Sequence, residues 1–326
     1  MDLIINNFLS ELEPGELKVF KNMGIIPLFS SIDGSPQYLT LKEALEKRLL
    51  TITEVSQGGS VPELKVVNKA EIPVLLLDGE EVAGAKQNRV LNTTILVKEN
   101  SETVIPVSCT EQGRWAYATS AFAESGNIMS HSLRAKKASS VHQTLKEAVS
   151  YRGDQGEVWD GIDCLSAEMK VHSRTGAMRD VYEDKKEDLE GYMEAFGYIP
   201  RQKGILAMIN GRVMGLDILS LEPVYEALHP KLVKSYAMDA LLRQREKVDN
   251  DIVEKARKFI GEAGECKEEK FKSIGHGDDY RFEGPTIVGS ALVHQETVIH
   301  MAFFETTGSE RVGRMSSASR RRRFRV

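Results

Sequence analysis

The sequence predicts an α+β protein with an antiparallel, β-rich N-terminal half, sandwich- or barrel-like, followed by mixed helices and β-hairpins. Two observations lead to this class. From Leu17 to Cys109, short runs rich in β-branched residues alternate with Gly, Asn and Ser turns, and no long helix separates them. After Trp115 the apolar spacing becomes helical, and two hairpin patterns interrupt it.

The elements follow in chain order. Residues 2–12 place apolar side chains at helical spacing behind Asp2, a favourable N-cap, which predicts a short amphipathic helix. The clearest strand runs are 66–67, 74–77, 90–97 and 104–109. Later helices are expected at 134–150, 155–170, about 179–196, from Ser220 to about 245, and 249–262.

Two hairpins complete the pattern. The first joins 204–209 to 213–219 through Asn210-Gly211, the strongest two-residue turn signal. The second joins 286–294 to 297–304, and its strands are apolar on both faces, as in a covered sheet. We predict a β-rich domain over 1–116, an α+β domain over 117–306 and a disordered basic tail over 307–326.

Composition excludes several classes of protein. The 326 residues are 41% hydrophobic and 28% charged, unlike a fibrous, collagen-like or wholly disordered chain. Net charge is −5, but five arginines lie together in Arg320–Arg325, so the body is acidic and the tail basic. A dedicated nucleic-acid binder has a folded basic surface with stacking aromatics. We therefore expect nucleic-acid contact only through the tail.

Cysteine usage and the N-terminus predict a cytoplasmic protein. The start lacks both the cationic segment and the apolar stretch of a secretory signal. The longest apolar runs fall far short of the roughly 18 residues that span a bilayer, so no membrane partner is expected. Three widely spaced cysteines, Cys109, Cys164 and Cys266, favour neither a disulfide framework nor a thiolate zinc site.

Polar residues cluster between two apolar strand runs. The stretch Gly79–Gln87 is similar in spacing to a phosphate-binding P-loop but lacks its Gly-Lys-Ser/Thr ending and carries two carboxylates. The cluster is either a solvated loop or a functional surface on a rigid sheet. Its members are Glu80, Glu81, Lys86, Gln87, Asn88 and Arg89.

A second polar group follows the strand that ends at Cys109. The alternation of that strand favours a buried structural cysteine, because no histidine is adjacent in sequence to lower the thiol pKa. Glu111, Arg114 and Trp115 come next and are candidates for recognition.

Asp217 and two histidines are the remaining candidates. Asp217 falls on the apolar face of the first hairpin, where an acid must be neutral, paired or functional; the alternative is a cap for the helix near Ser220. Regular pairing in the second hairpin sets His300 opposite Ala291, which places His294 and His300 on opposite faces. We therefore expect no two-histidine metal site.

Three stretches together resemble a known family. They are Asp78–Val90 with Pro106–Trp115, then Ile209–Asp217, then Arg281–Pro285 with Gly289–Val293. The sequence resembles the ADP-ribosylglycohydrolase and rhodanese-phosphatase associated protein family from about residue 15 to 305. The resemblance implies association with ADP-ribose and NAD-linked enzymes, without established catalytic residues.

These observations support two functional hypotheses. The first is binding or processing of an ADP-ribose- or nucleotide-type ligand in NAD-linked metabolism. The second is a non-catalytic interaction or scaffold protein for a neighbouring enzyme. No pattern specifies a cofactor, a reaction or an oligomeric state. The candidate ligand-binding residues are Lys86, Gln87, Arg89, Arg114 and Trp115, and the candidate catalytic acids are Glu80, Glu81, Glu111 and Asp217.

Overall fold

The computed structural model describes residues 1–32, 36–246 and 251–306, and these residues form an α+β fold, as predicted. The helices in this part are α1 (Leu3–Ser10), α2 (Leu41–Glu46), α3 (His131–Ala148), α4 (Gln155–Glu168), α5 (Met178–Asp184), α6 (Lys186–Ala195), α7 (Glu222–Leu242) and α8 (Ile252–Gly264). The expected tail, 307–326, lies outside the described residues.

The strands come in two groups. The first group is β1 (Leu12–Pro14), β2 (Lys18–Phe20), β3 (Met23–Ser30), β4 (Leu39–Thr40), β5 (Leu50–Glu54), β6 (Glu63–Asn68), β7 (Val74–Leu76), β8 (Glu80–Gly84), β9 (Arg89–Leu91), β10 (Ile95–Val97), β11 (Ser101–Cys109) and β12 (Phe122–Ile128). The second is β13 (Gly204–Ile209), β14 (Arg212–Leu219), β15 (Lys267–Lys272), β16 (Asp278–Glu283), β17 (Ile287–His294) and β18 (Thr297–Glu305).

The larger sheet is antiparallel and spans the chain. Its order is β1-β3-β13-β14-β18-β17-β16-β15, and β2 also pairs with β3. Apolar side chains from β13 and β14 enter separate cores on the two faces of this sheet, one with α7 and the other with α8. The sheet thus joins strands from both sides of the expected boundary at residue 116, and the division into two domains stays a prediction.

The smaller sheet is curled and barrel-like, in agreement with the sequence analysis. Its order is β12-β8-β9-β11-β6-β5, and the two outer strands, β12 and β5, contact each other. Apolar side chains from these strands, including Ile52, Val66 and Val107, fill the inside. A three-stranded sheet, β10-β7-β4, contributes its own apolar residues to the same core.

Both predicted hairpins are present. Asn210 and Gly211 have φ of 51° and 71°, the left-handed pair that a two-residue hairpin turn requires. In the second hairpin a β-bulge between Leu292 and Val293 pairs His300 with Leu292. The expected pairing of His300 with Ala291 is therefore wrong by one residue, because an irregularity in one strand shifts the register beyond it.

Each predicted helix is present except in one region, and α2 is a short helix that the apolar spacing does not predict. The helix expected at about 179–196 is two helices, α5 and α6, which meet at Lys185. No helix in the described ranges is long and apolar enough to cross a bilayer.

Candidate functional site

Several strands of the barrel-like sheet end or begin at one end of it. Glu54 ends β5, Gly84 ends β8 and Cys109 ends β11, while Arg89 begins β9 and Phe122 begins β12. The antiparallel pairing of these strands brings the segments 55–62, 85–88 and 110–121 to this end. We call it the barrel mouth.

A polar layer closes the apolar interior of the barrel at the mouth. In β9 and β11, Leu91 pairs with Val107 inside the barrel, so two positions further on, Arg89 and Cys109 share the same side. In β5, Glu54 follows Ile52 on the interior face by the same alternation. Burial raises the pKa of the Cys109 thiol to about 11, which makes it a poor nucleophile at neutral pH.

Arg89 is wholly buried but only partly hydrogen-bonded. Its Nη1 donates to Gln87 Oε1 at 3.2 Å and to the Asn88 carbonyl at 3.3 Å. Its Nε and Nη2 have no hydrogen-bond partner among the residues that the structure describes. These two atoms form the side-on edge with which an arginine binds paired acceptors. Burial lowers the Arg89 pKa, but a guanidinium still remains protonated at neutral pH.

Glu54 is the acid that lies nearest to this edge of Arg89, but it accepts no hydrogen bond from it. Its Oε1 lies 3.9 Å from Arg89 Nη2, too far for a hydrogen bond, and accepts instead from the Lys86 backbone N–H at 3.3 Å. Glu54 Oε2 has no hydrogen-bond partner within the described part of the chain. The pair therefore offers two unused donors beside one unused acceptor.

Two aromatic side chains and a lysine cover this pair. Trp115 is 46% exposed and Tyr117 is 51% exposed. The Lys86 Nζ lies 5.2 Å from the Trp115 ring centre and 5.1 Å from that of Tyr117, within cation–π range. The Arg89 guanidinium lies 5.6 Å from the Trp115 ring. The mouth thus places the half-exposed Trp115 ring over the buried Arg89 cation, and Lys86 links this ring to Tyr117.

The covering loops contact each other across the mouth. Lys86 Nζ donates to the Gly58 carbonyl at 2.6 Å, and the Tyr117 hydroxyl donates to the Gln57 carbonyl at 3.3 Å. Gly59 has φ of +77°, and a Cβ there would lie 3.2 Å from Trp115 Cζ2 and 3.3 Å from Glu54 Oε2. A side chain at this position would crowd Trp115 and Glu54 and would be strained at this positive φ.

Glu111 and Arg114 hold the loop that carries the aromatic residues. Arg114 donates to both carboxylate oxygens of Glu111, at 2.9 and 2.6 Å, and to backbone carbonyls that include Ala85 at 2.7 Å. Glu111 also accepts from the Asn88 N–H and the Thr175 hydroxyl. Burial alone would raise the Glu111 pKa, but these hydrogen bonds and the Arg114 charge lower it below its usual range. We assign both as positioning residues.

Glu80 and Glu81 lie outside the polar layer that contains Arg89 and Glu54, although Glu81 is bound to Thr110 of the mouth segment 110–121. Glu80 accepts from Lys231 Nζ at 2.7 Å and from the Leu77 N–H at 2.9 Å. Glu81 accepts from the Thr110 hydroxyl at 2.7 Å, and its burial raises its pKa to about 7. Both carboxylates are buried on β8, away from the Trp115 surface.

Asp217 belongs to a separate, fully buried charge network. Arg134 on α3 donates to its two oxygens at 3.0 and 2.7 Å, and the Tyr236 hydroxyl donates at 2.7 Å. His300 Nε2 lies 3.4 Å from it. Burial would raise the Asp217 pKa, but the charge and hydrogen bonds of Arg134 hold it far below its usual range. Asp217 is thus paired rather than free, and its partners are not those of a helix cap.

Six of the nine candidate residues meet at the mouth: Lys86, Gln87, Arg89, Glu111, Arg114 and Trp115. Glu80, Glu81 and Asp217 lie elsewhere. Glu54 and Tyr117 also lie at the mouth and are not among the candidates that the sequence indicates. A signal for Glu54 was present, because the alternation Leu50-Thr51-Ile52-Thr53-Glu54 ends with a carboxylate on the apolar side.

The described residues contain no group of three or more His, Cys, Asp or Glu side chains arranged to hold a metal ion. His300 bonds Thr94 Oγ1 through Nδ1, whereas His294 stacks on His276.

The family resemblance of the sequence is confirmed by a family model. A sequence model of the ARG and Rhodanese-Phosphatase-superfamily-associated Protein domain matches residues 11–304, which is most of the chain. The chain belongs to this family. The family's description records an association with other proteins and names no reaction. The matched range includes every residue of the barrel mouth. Neither the curated proteins nor the solved structures contain a match to the chain.

Proposed function

We propose that this protein binds an ADP-ribose- or nucleotide-type ligand at the barrel mouth. One observation carries the proposal: the side-on edge of Arg89 is buried and has no hydrogen-bond partner in the described structure, directly behind the half-exposed Trp115 ring. Buried polar groups in proteins are nearly always paired, and an unpaired one costs about 1–3 kcal/mol. A ligand that accepts hydrogen bonds from Arg89 Nε and Nη2 explains why this buried arginine is present.

The surroundings of Arg89 match the parts of a nucleotide. The Trp115 and Tyr117 side chains are half-exposed, and aromatic rings at the surface of a site are the groups on which any nucleobase can stack. Lys86 lies between these rings and provides a cation for a phosphate group. The association with ADP-ribose-linked enzymes that the family resemblance implies supports the same class of ligand.

Arg114 has a different role from the one that the sequence suggests. Its hydrogen bonds go to Glu111 and to backbone carbonyls, so it does not offer a free cation to phosphate. In the proposal, Arg114 and Glu111 set the position of the loop that carries Trp115. The contacts to ligand come from Lys86, Arg89, Trp115 and Tyr117.

Calorimetric titration of the purified full chain with ADP-ribose, AMP and GMP tests the proposal. We expect saturable binding that Trp115→Ala and Lys86→Ala each weaken by about tenfold, the loss of one stacking or charge contact. Lys69→Ala is the matched control, because this exposed lysine follows β6 at the opposite end of the barrel. Binding that survives both mouth variants would reject the site, and no binding to any of these ligands would favour the interaction protein.

A further inference from the structure

The unused hydrogen-bonding atoms at the mouth form a defined pattern. Arg89 Nε and Nη2 are two donors on one edge of a planar group, and Glu54 Oε2 is an acceptor beside them. The third nitrogen, Nη1, is already held by Gln87 Oε1 and the Asn88 carbonyl, which fixes the plane of the guanidinium. A ligand that satisfies all three unused atoms must bring two adjacent acceptors and one donor.

The charge of Glu54 restricts which ligand group fits. Glu54 lies 3.9 Å from Arg89, its side chain is buried, and it neutralises the cation in the site. A phosphate bound to the Arg89 edge would place a second anion next to this carboxylate, and two like charges repel strongly in a buried site. A phosphate also offers Glu54 no donor when fully ionised. The pattern therefore favours an uncharged group at Arg89, and phosphate at the outer Lys86.

We propose that Arg89 and Glu54 recognise the base of the ligand, and that this base is a 6-oxopurine, guanine or hypoxanthine. In these bases N7 and O6 are adjacent acceptors, which an arginine edge binds together. The N1–H lies next to O6 and supplies the donor for Glu54. Adenine carries an amino group in place of O6 and an acceptor at N1, so it mismatches both Arg89 and Glu54. This inference rests on the proposed function and adds the identity of the base.

The geometry also assigns a role to the two covering loops. Arg89 is wholly buried, and the contacts Lys86–Gly58 and Tyr117–Gln57 join the loops above it. Because these contacts close the mouth, a base can reach Arg89 only if the loops part, and it would then lie beside the Trp115 ring. Trp115 and Tyr117 stack on any base, so the selection between bases comes from Glu54 and Arg89.

The test compares ligands on the unaltered full chain, which avoids variants that fail to fold. Calorimetry measures GMP, IMP and AMP, then 7-deaza-GMP, which lacks the N7 acceptor, and 1-methyl-GMP, which lacks the N1–H. We expect GMP and IMP to bind at least about tenfold more tightly than AMP, and each modified GMP to lose about tenfold relative to GMP.

A variant pair checks the same contacts from the protein side. Glu54→Gln removes the charged acceptor, so the ratio of GMP to AMP affinity should fall by about tenfold. Glu63→Gln is the matched control, because Glu63 begins β6 at the same end of the barrel but outside the Arg89 pair, and it should keep the ratio.

The outcomes separate this inference from the proposed function. Equal affinity for AMP and GMP, with both lost in Trp115→Ala, would overturn the base assignment while the mouth remains a nucleotide site. A preference for GMP that both modified nucleotides retain would overturn the assigned contacts. No binding by any of the five nucleotides would overturn the inference, and a failure of ADP-ribose to bind as well would overturn the proposed function.

Discussion

Replacing Asp217 by alanine should destabilise the protein strongly without acting through the barrel mouth. The structure makes Asp217 the main partner of Arg134, a wholly buried arginine on α3. Removing one member of a buried ion pair costs about 3–5 kcal/mol, because the other charge stays buried and unpaired. Asp78 lies 3.5 Å from Arg134 and remains as a weaker partner, which keeps the expected loss in free energy of unfolding within that range.

The assay is urea unfolding, with thermal unfolding as a second measure. Each kcal/mol shifts the midpoint by about 2–4 °C in domains of 150–250 residues, so the expected shift is on the order of 6–20 °C. Asp278→Ala is the control, because Asp278 pairs with Lys270 and Lys272 on a partly exposed strand. Such surface pairs contribute about 0–1 kcal/mol.

The contribution of Asp217 to the free energy of unfolding should depend on pH. Since the folded-state pKa of Asp217 lies below its unfolded value of about 3.9, its contribution is complete above that pH and is lost as pH falls through the folded pKa. The stability gap between wild type and Asp217→Asn should therefore be constant from pH 5 to 8 and narrow at more acidic pH. If Asp217→Ala lowers the free energy of unfolding by less than about 1 kcal/mol, as the control does, Asp217 is not a main stabilising partner of Arg134.

Three further predictions follow from the same structure. Burial raises the Glu81 pKa to about 7, so ionisation of Glu81 disfavours the folded state. The free energy of unfolding of Glu81→Gln should therefore equal that of wild type below about pH 4.5 and exceed it by about 3 kcal/mol above pH 7. Urea unfolding across this pH range checks the prediction. Lys231→Ala leaves the buried Glu80 and Glu124 without their shared cation, so the free energy of unfolding should fall by about 3–5 kcal/mol. A fall of less than about 1 kcal/mol would contradict a stabilising role for Lys231. Trp115→Ala should alter the free energy of unfolding by less than about 1 kcal/mol, since the ring is half-exposed, and a larger loss would make it a structural residue.

Local patterns in the sequence predicted much of the fold. Asn210-Gly211 specified its hairpin because few residue pairs tolerate two left-handed positions in succession. Apolar spacing located the helices, but it did not show the break at Lys185 between α5 and α6, where both segments keep the same buried face. The bulge at Leu292 was also missed, because no residue there marks an irregular strand.

Contacts between residues far apart in the sequence limit how much of the site the sequence predicts. The polar residues from Lys86 to Arg89 were recognised as a cluster because they interrupt two apolar strands in sequence. Glu54 joins them only because β5 ends and β9 begins at the same end of a curled sheet, a proximity that no local pattern reveals. Asp217 illustrates the opposite error, since an acid on an apolar face looks functional until its partner, Arg134, 83 residues away, is known.

The central claim, that the barrel mouth binds a nucleotide, has a direct optical test. The sequence contains two tryptophans, and Trp159→Phe leaves Trp115 as the sole reporter without removing a hydrogen bond that the described structure contains. Titration of this variant with GMP should give a saturable change in tryptophan fluorescence, and Arg89→Ala in the same background should abolish it while the circular dichroism spectrum stays folded. Fluorescence that is unchanged at millimolar GMP, in a folded protein, would contradict the account.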